Sequence, residues 1–292
     1  MTSEFVHLHN HSDYSLLDGA QKIDQLVNTI DDLNMDAVAL TEHGNMFSVL
    51  PYYKQAKKAG IKPIIGCEIY VAVGSRFEKK TRSDGGWGNN HLILLAQNFT
   101  GYKNLMKLVT AGYLEGFYYR PRIDMDLLRE HSEGLICMSA CLKGVVPEKM
   151  LKGDYEGARK EALLFSEIFQ DRYYLEIQNH GIPEEEQNLK NMKKLSQDLN
   201  LPLVCTNDAH YAKKEHWEAH DIHICLGTGK ERSDPNRLRY ATPEFYFKTQ
   251  DEMHKLFKEF PGAIENTRKI ADSIDITLPI GESHLPNFPI PK

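Results

Sequence analysis

No stretch of apolar residues in this chain approaches the roughly 20 that a membrane span requires. Mean hydropathy is −0.48. There is no excess of basic charge either: Lys and Arg number 35 against 41 Asp and Glu, a net −6 over 292 residues. A chain this acidic is not a general electrostatic sponge for nucleic acid, and any contact with DNA needs a local basic patch or metal ions. The five cysteines are an odd number and are scattered, so no disulfide framework is visible. The first residues carry neither a basic nor an apolar leader segment. Together these absences lead us to expect a protein of the reducing cytoplasm. No Gly-x-Gly-x-x-Gly follows the first predicted strand, which speaks against a dinucleotide fold. What the chain has in quantity is histidine, 13 residues of it.

Short apolar runs alternate with helical patterns. Strands are predicted at 5–9, 37–40, 61–73, 91–97, 134–138, 173–177 and 203–205. Helices are predicted at 23–33, 49–59, 101–113, 155–169 and 184–199, with two more at 250–259 and 261–274. Repeated β-then-α order is the signature of a parallel sheet with helical crossovers. Seven strands in a chain this size favour an α/β barrel, closed or nearly so. Two stretches read as polar excursions, 74–90 and the basic loop 227–239. The last dozen residues are punctuated by proline and read as a linker.

The strand ends repeatedly deliver metal-binding chemistry. His9 and His11 follow the first strand, with Asp18 shortly after. His43 follows the second, Glu68 lies inside the third and His91 opens the fourth. Cys141 follows the fifth, and Asp208 and His210 follow the last. In a parallel barrel the loops after the strands form one active face. His-x-His and Asp-x-His spacing puts alternate side chains on one side of an extended segment. Imidazole, thiolate and carboxylate together suit Zn, Fe or Mn. Nine such residues exceed one four-coordinate ion and would serve two or three, with Glu68 as a candidate bridge. Each residue alone has an ordinary reading: Asp18 as a turn residue, Cys141 as a small buried side chain. Their joint placement carries the argument.

Other signals are weaker. His216, His220 and His223 recur at helical spacing and read as a polar helix face. His7 shares a face with His9 and reads as a core residue or a support for it. Tyr118, Tyr119, Arg120 and Arg122 combine aromatics with guanidinium groups, a mixture suited to phosphate and base stacking. Lys143 lies two residues after Cys141. Lys230, Arg232, Arg237 and Arg239 form a local basic run.

The segments His-Leu-His-Asn-His-Ser-Asp-Tyr-Ser-Leu-Leu-Asp-Gly, Leu-Thr-Glu-His-Gly-Asn, Ile-Gly-Cys-Glu and Thr-Asn-Asp-Ala-His resemble the four motifs of the PHP (polymerase and histidinol phosphatase) domain. Phe-Tyr-Tyr-Arg-Pro-Arg-Ile-Asp, Ser-Ala-Cys-Leu-Lys-Gly and Asp-Pro-Asn-Arg-Leu-Arg are similar to the form of that domain in the bacterial replicative DNA polymerase III alpha subunits. The resemblance implies a distorted (β/α)7 TIM-like barrel over residues 1–280, with C-terminal helical segments. It makes residues 281–292 the start of a linker to polymerase domains that are absent.

It also implies a centre of two or three divalent ions (Zn, Mn or Fe). One would be held by His9, His11, Glu68 and Asp208, a second by Glu68, His91 and Cys141, a third by Asp18, His43 and His210. Arg120, Arg122 and Lys143 would bind substrate. The implied activity is a metal-dependent phosphoesterase, in the polymerase context a proofreading 3′–5′ exonuclease without polymerase activity of its own. Two alternatives stand beside it: a phosphomonoesterase of the histidinol-phosphatase type, and a non-catalytic, metal-stabilised scaffold. The implied partners are a DNA 3′ end, the rest of the polymerase chain and a separate proofreading subunit, with no membrane. The implied location is the cytoplasm, at the nucleoid.

Overall fold

A computed structural model describes residues 2–80, 88–283, 285 and 288. In chain order the elements are α1 (Ile23–Asp32), β1 (Ala37–Leu40), α2 (Val49–Lys58), β2 (Lys62–Ala72), β3 (Asn89–Ala96), α3 (Phe99–Leu114), β4 (Arg122–Ile123), α4 (Met125–Glu130), β5 (Leu135–Met138), α5 (Val145–Leu151) and α6 (Tyr155–Phe169). Then come β6 (Tyr173–Ile177), α7 (Pro183–Leu199), β7 (Leu203–Cys205), α8 (Trp217–Thr228), α9 (Gln250–Phe257) and α10 (Ala263–Ser273).

The strands form one curled sheet in the order β1-β2-β3-β5-β6-β7, with the short β4 paired to β2. The strands are almost wholly buried, because helices cover the outside while the inward residues pack on one another. Phe5, Leu8, Leu26, Ile30, Ile64, Leu94 and Val204 belong to this core. Amphipathic helices supply the outer layer. In α1, for instance, Ile23, Leu26, Val27 and Ile30 recur at helical spacing and are buried. The result is a distorted TIM-like α/β barrel, as expected.

Two expectations about the sheet need correction. The sheet is not all parallel: β3 runs antiparallel to both β2 and β5. An antiparallel strand presents its beginning where its neighbours present their ends. This is why His91 acts from the start of a strand. The second correction concerns residues 5–9, which form no regular strand. The segment is extended and makes isolated bridges, His7 with Val38 on one side and Asn10 with Ala209 on the other. The amide of Ala39 donates to the His7 carbonyl (2.8 Å), and the amide of His11 donates to the Ala209 carbonyl (2.9 Å). The segment thus spans the opening between β1 and the residues after β7, and it carries His9 and His11 into the middle of the barrel.

Of the predicted excursion at 74–90, Asn89 and Asn90 belong to β3, while 81–87 lie outside the described residues. The predicted linker at 281–292 lies largely outside them too.

Candidate metal centre

The nine sequence-predicted ligand residues meet at one end of the barrel. His9 Nε2 stands 3.4 Å from Glu68 Oε2 and 3.3 Å from Asp208 Oδ1. His11 Nε2 is 3.2 and 3.1 Å from the same two oxygens. His43 Nδ1 is 2.8 Å from Glu68 Oε2, and its Nε2 is 3.0 Å from Asp18 Oδ1. The other Glu68 oxygen faces His91 Nδ1, which is 3.8 Å from Cys141 Sγ. His210 Nε2 is 3.9 Å from Asp18 Oδ2. Glu68 therefore stands between the His9–His11–Asp208 group and the His91–Cys141 pair. Three sets of donor atoms fall within 4.8 Å of one another: His9, His11 and Asp208; Glu68, His91 and Cys141; and His11, His43 and His210.

The backbone bends to achieve this. Asp208 has φ +45° and Ala140, beside Cys141, φ +64°. Neither is glycine, and local strain of this kind persists only where the surrounding fold enforces it. Gly19 holds the Asp18 turn, since a Cβ there would lie 1.8 Å from the Ser12 carbonyl oxygen.

Supporting groups fix which ring nitrogens point inward. Nδ1–H of His9 donates to Glu176 Oε1 (2.7 Å), and Gln178 Nε2 donates to the same oxygen. Nδ1–H of His11 donates to Ser15 Oγ (3.0 Å), whose own proton goes to Glu42 (2.6 Å). Nδ1–H of His210 donates to the Asp208 carbonyl (2.8 Å). In each case Nε2 is left to face the centre, the arrangement by which outer carboxylates and carbonyls orient metal-binding imidazoles.

The interior of the cluster is electrostatically incomplete. Among the described residues, His11 Nε2, His43 Nδ1, Asp18 Oδ1, Glu68 Oε1 and Asp208 Oδ1 are buried and lack a hydrogen-bond partner. Buried lone pairs facing one another at about 3 Å repel unless a cation lies among them. Burial pulls the His9 imidazole towards neutrality, but Asp208 and Glu176 outweigh it and hold its pKa well above the ordinary value. Asp18 and Glu68 do the same for His43. Against burial, His91 and His43 hold Glu68 well below the usual carboxylate range. Burial, with Glu68 and Asp208 nearby, pushes the Cys141 thiol up. Protons on His9 and His43 are thus the cations this donor set accepts by default. A mixed imidazole, carboxylate and sulfur set of this kind fits divalent transition ions.

The predicted substrate residues fare differently. Arg122 is 1% exposed. Its guanidinium donates to the carbonyls of Gly116 (3.0 Å), Arg76 (3.2 Å) and Glu78 (2.9 Å). It fastens the chain rather than meeting a substrate, and its place among the substrate residues is withdrawn. Arg120 lies over the Tyr70 ring at 5.7 Å, and that ring abuts His91 edge-on. Lys143 is exposed, while its carbonyl accepts from the amide of His91 (3.0 Å). The predicted basic run is largely neutralised: Arg237 and Arg232 both bind Asp221, and Lys230 pairs with Asp234. His220 is no part of a polar helix face; it is buried and donates to the Asp18 carbonyl (2.8 Å).

The sequence reading missed Glu176, Glu42 and Tyr240. Glu176 did leave a signal, a carboxylate inside the apolar run Tyr-Tyr-Leu-Glu-Ile of β6. Tyr240 left none.

The family model of the PHP domain matches residues 7–180. The chain belongs to the PHP domain family. Asp208 and His210 lie beyond that match and are brought to the centre by the fold. The PHP chain is 51% identical over 99% of its length to the DNA polymerase III subunit alpha of Borreliella burgdorferi. It is 47% identical to that of Treponema pallidum and 41% to that of Thermus aquaticus, over 98% and 99% of its length. It covers 25%, 24% and 24% of those three proteins, so it spans about a quarter of the curated relatives it matches. Among solved structures, a two-domain protein of Bacteroides vulgatus containing a predicted PHP-like metal-dependent phosphoesterase superposes with TM-score 0.43 at 17% identity. The match covers 92% of this chain and 66% of that one.

Proposed function

We propose that this PHP domain is a metal-dependent phosphoesterase that removes nucleotides from DNA 3′ ends, a 3′–5′ exonuclease serving proofreading within a replicative polymerase. The observation that carries this reading is the set of five buried, unpartnered donor atoms facing one another where nine predicted ligands converge. One ion would be held by His9, His11, Glu68 and Asp208, a second by Glu68, His91 and Cys141, a third by Asp18, His43 and His210. Bound divalent ions supply an activated water at neutral pH and neutralise phosphoryl charge.

The chain's own residues do the rest. Asp18, Glu68 and Asp208, with Cys141 as thiolate, bring four negative charges. Two divalent ions balance them, and a third leaves a positive centre suited to a phosphodiester anion. Glu176 and the Ser15–Glu42 pair hold the inward imidazoles in one orientation, so little reorganisation accompanies the reaction. Lys143, exposed two residues after Cys141, and Arg120, over the Tyr70 ring that abuts His91, would meet the charge of the approaching strand. The remaining polymerase chain is the natural partner, given the relatives' length, and a separate proofreading subunit is a further one. The place of action is the cytoplasm, at the nucleoid.

The test is degradation of a 5′-labelled single-stranded DNA oligomer with Mn²⁺, with Zn²⁺ and with EDTA, beside Asp208→Asn. The expected result is a shortening ladder that EDTA and the substitution both abolish. A folded, metal-loaded protein that gives no ladder overturns the nuclease reading. Turnover of a small phosphate monoester in its place would favour the histidinol-phosphatase type.

A further inference from the structure

The third proposed position, at Asp18, His43 and His210, contains a residue that no motif anticipates. Tyr240 lies in the segment between α8 and α9. Its hydroxyl is 2.9 Å from His210 Nε2 and 3.3 Å from Asp18 Oδ2. The direction of the first bond follows from the tautomer. Because Nδ1 of His210 donates to the Asp208 carbonyl, Nε2 carries the lone pair, and the Tyr240 hydroxyl must donate to it. The lone pair with which His210 would bind a metal is therefore already engaged.

The ring is held in place. Phe245 meets it edge-to-face at 4.5 Å, and the His220 ring lies 4.8 Å away. His220 in turn donates to the Asp18 carbonyl, so the same side chain braces both the Tyr240 ring and the Asp18 turn. Neither of the other two positions is treated this way. The contacts of His9 Nε2 and His11 Nε2 with Glu68 and Asp208 are to carboxylate oxygens, and among the described residues no hydroxyl bond to Glu68, His91 or Cys141 is seen.

We propose that Tyr240 caps the third position, its hydroxyl, beside Asp18, competing with a divalent cation for the His210 lone pair. The centre would then bind two ions firmly and a third weakly, since the Tyr240 hydroxyl would have to give up His210 for a third to be held there. This inference rests on the metal-centre reading above and adds a rank order to it.

The test is calorimetric titration of the chelator-stripped 292-residue chain with Mn²⁺ alone, with bound metal counted by native mass spectrometry. Wild type, Tyr240→Phe, Asp18→Asn and the double variant are compared. Phe keeps the ring and its contacts with Phe245 and His220, and circular dichroism checks that each protein is folded. We expect two tight sites, unchanged in Tyr240→Phe, and a third that tightens roughly fivefold, the worth of one neutral hydrogen bond no longer broken. In the Asp18→Asn background the same change has no effect. A third site that weakens in Tyr240→Phe would make the hydroxyl a ligand and overturn the cap. So would an unchanged third site, or the absence of a third site in both proteins. Wild type that binds no Mn²⁺ removes the metal-centre reading itself, and the cap with it; metal binding with no response to Tyr240→Phe removes the cap alone.

Discussion

His7 and His9 are two residues apart, equally buried, and pushed in opposite directions. Burial lowers the pKa of His7 to about 4, outweighing the hydrogen bond that Nε2 donates to the Lys248 carbonyl (2.9 Å), and the Lys248 ammonium adds to the fall. His9 meets two carboxylates and is raised. The difference sets the sign of the pH dependence that His7 contributes. Its folded value lies below the unfolded 6.5, so the unfolded chain takes up the proton first. The stability it contributes is full above pH 6.5 and is lost as pH falls towards 4, about 3 kcal/mol in all. His7→Gln keeps a donor for Lys248 and removes the titration. Urea midpoints at pH 7 and pH 4.5 should therefore diverge less in the variant than in wild type; parallel losses would refute the assignment. At this scale the ligand candidates were legible because each is a reactive residue type at a strand boundary. The residues that orient them were not, because a lone Glu42 or Tyr240 has no pattern. Their meaning comes from partners 27 and 30 positions away in sequence, Ser15 and His210. Arg122 shows the opposite failure. Its charge suggested phosphate, but burial assigns it to backbone carbonyls.

Elements were legible wherever apolar period decided them. The predicted bounds of β1, α6, β6 and β7 match the structure residue for residue. Strand direction was not legible, since periodicity carries no sign, and β3 was taken as one more parallel strand. Nor could the sequence show that 5–11 makes bridges in place of a ladder, because its alternation is the same in either case. Close approach of elements is the other hidden variable, and α3 shows it. Asn98 caps this helix by accepting from the Gly101 amide (3.0 Å), and a Cβ at Gly101 would lie 1.8 Å from the Gly134 carbonyl oxygen, at the entry to β5. Backbone rather than a mobile side chain blocks the space, so the helix must shift. Gly101→Ala should cost about 2 kcal/mol or more despite its better helix propensity. Chemical denaturation measures this, and a variant as stable as wild type would show that α3 can move without cost.

Over the whole molecule, one end of the barrel collects Asp18, Glu68 and Asp208 with Glu42 and Glu176 behind them, in a chain that is already acidic. Such a concentration of buried carboxylate is stable only with compensating cations, whether protons on His9 and His43 or divalent ions. Ions that bind only the folded chain raise its stability by mass action, about 2.7 kcal/mol for one site at a hundredfold excess over its dissociation constant. For a chain of this length that is roughly 5 °C or more in melting temperature. EDTA should remove this increment. Because His9 and His43 hold their protons tightly, each ion must displace them, and metal affinity falls as pH falls. The gap between Mn²⁺-loaded and EDTA-treated melting temperatures should therefore be wide at pH 8 and narrow at pH 6. Equal melting temperatures at pH 8 would mean that protons alone complete the cluster, and the phosphoesterase reading would lose its physical basis.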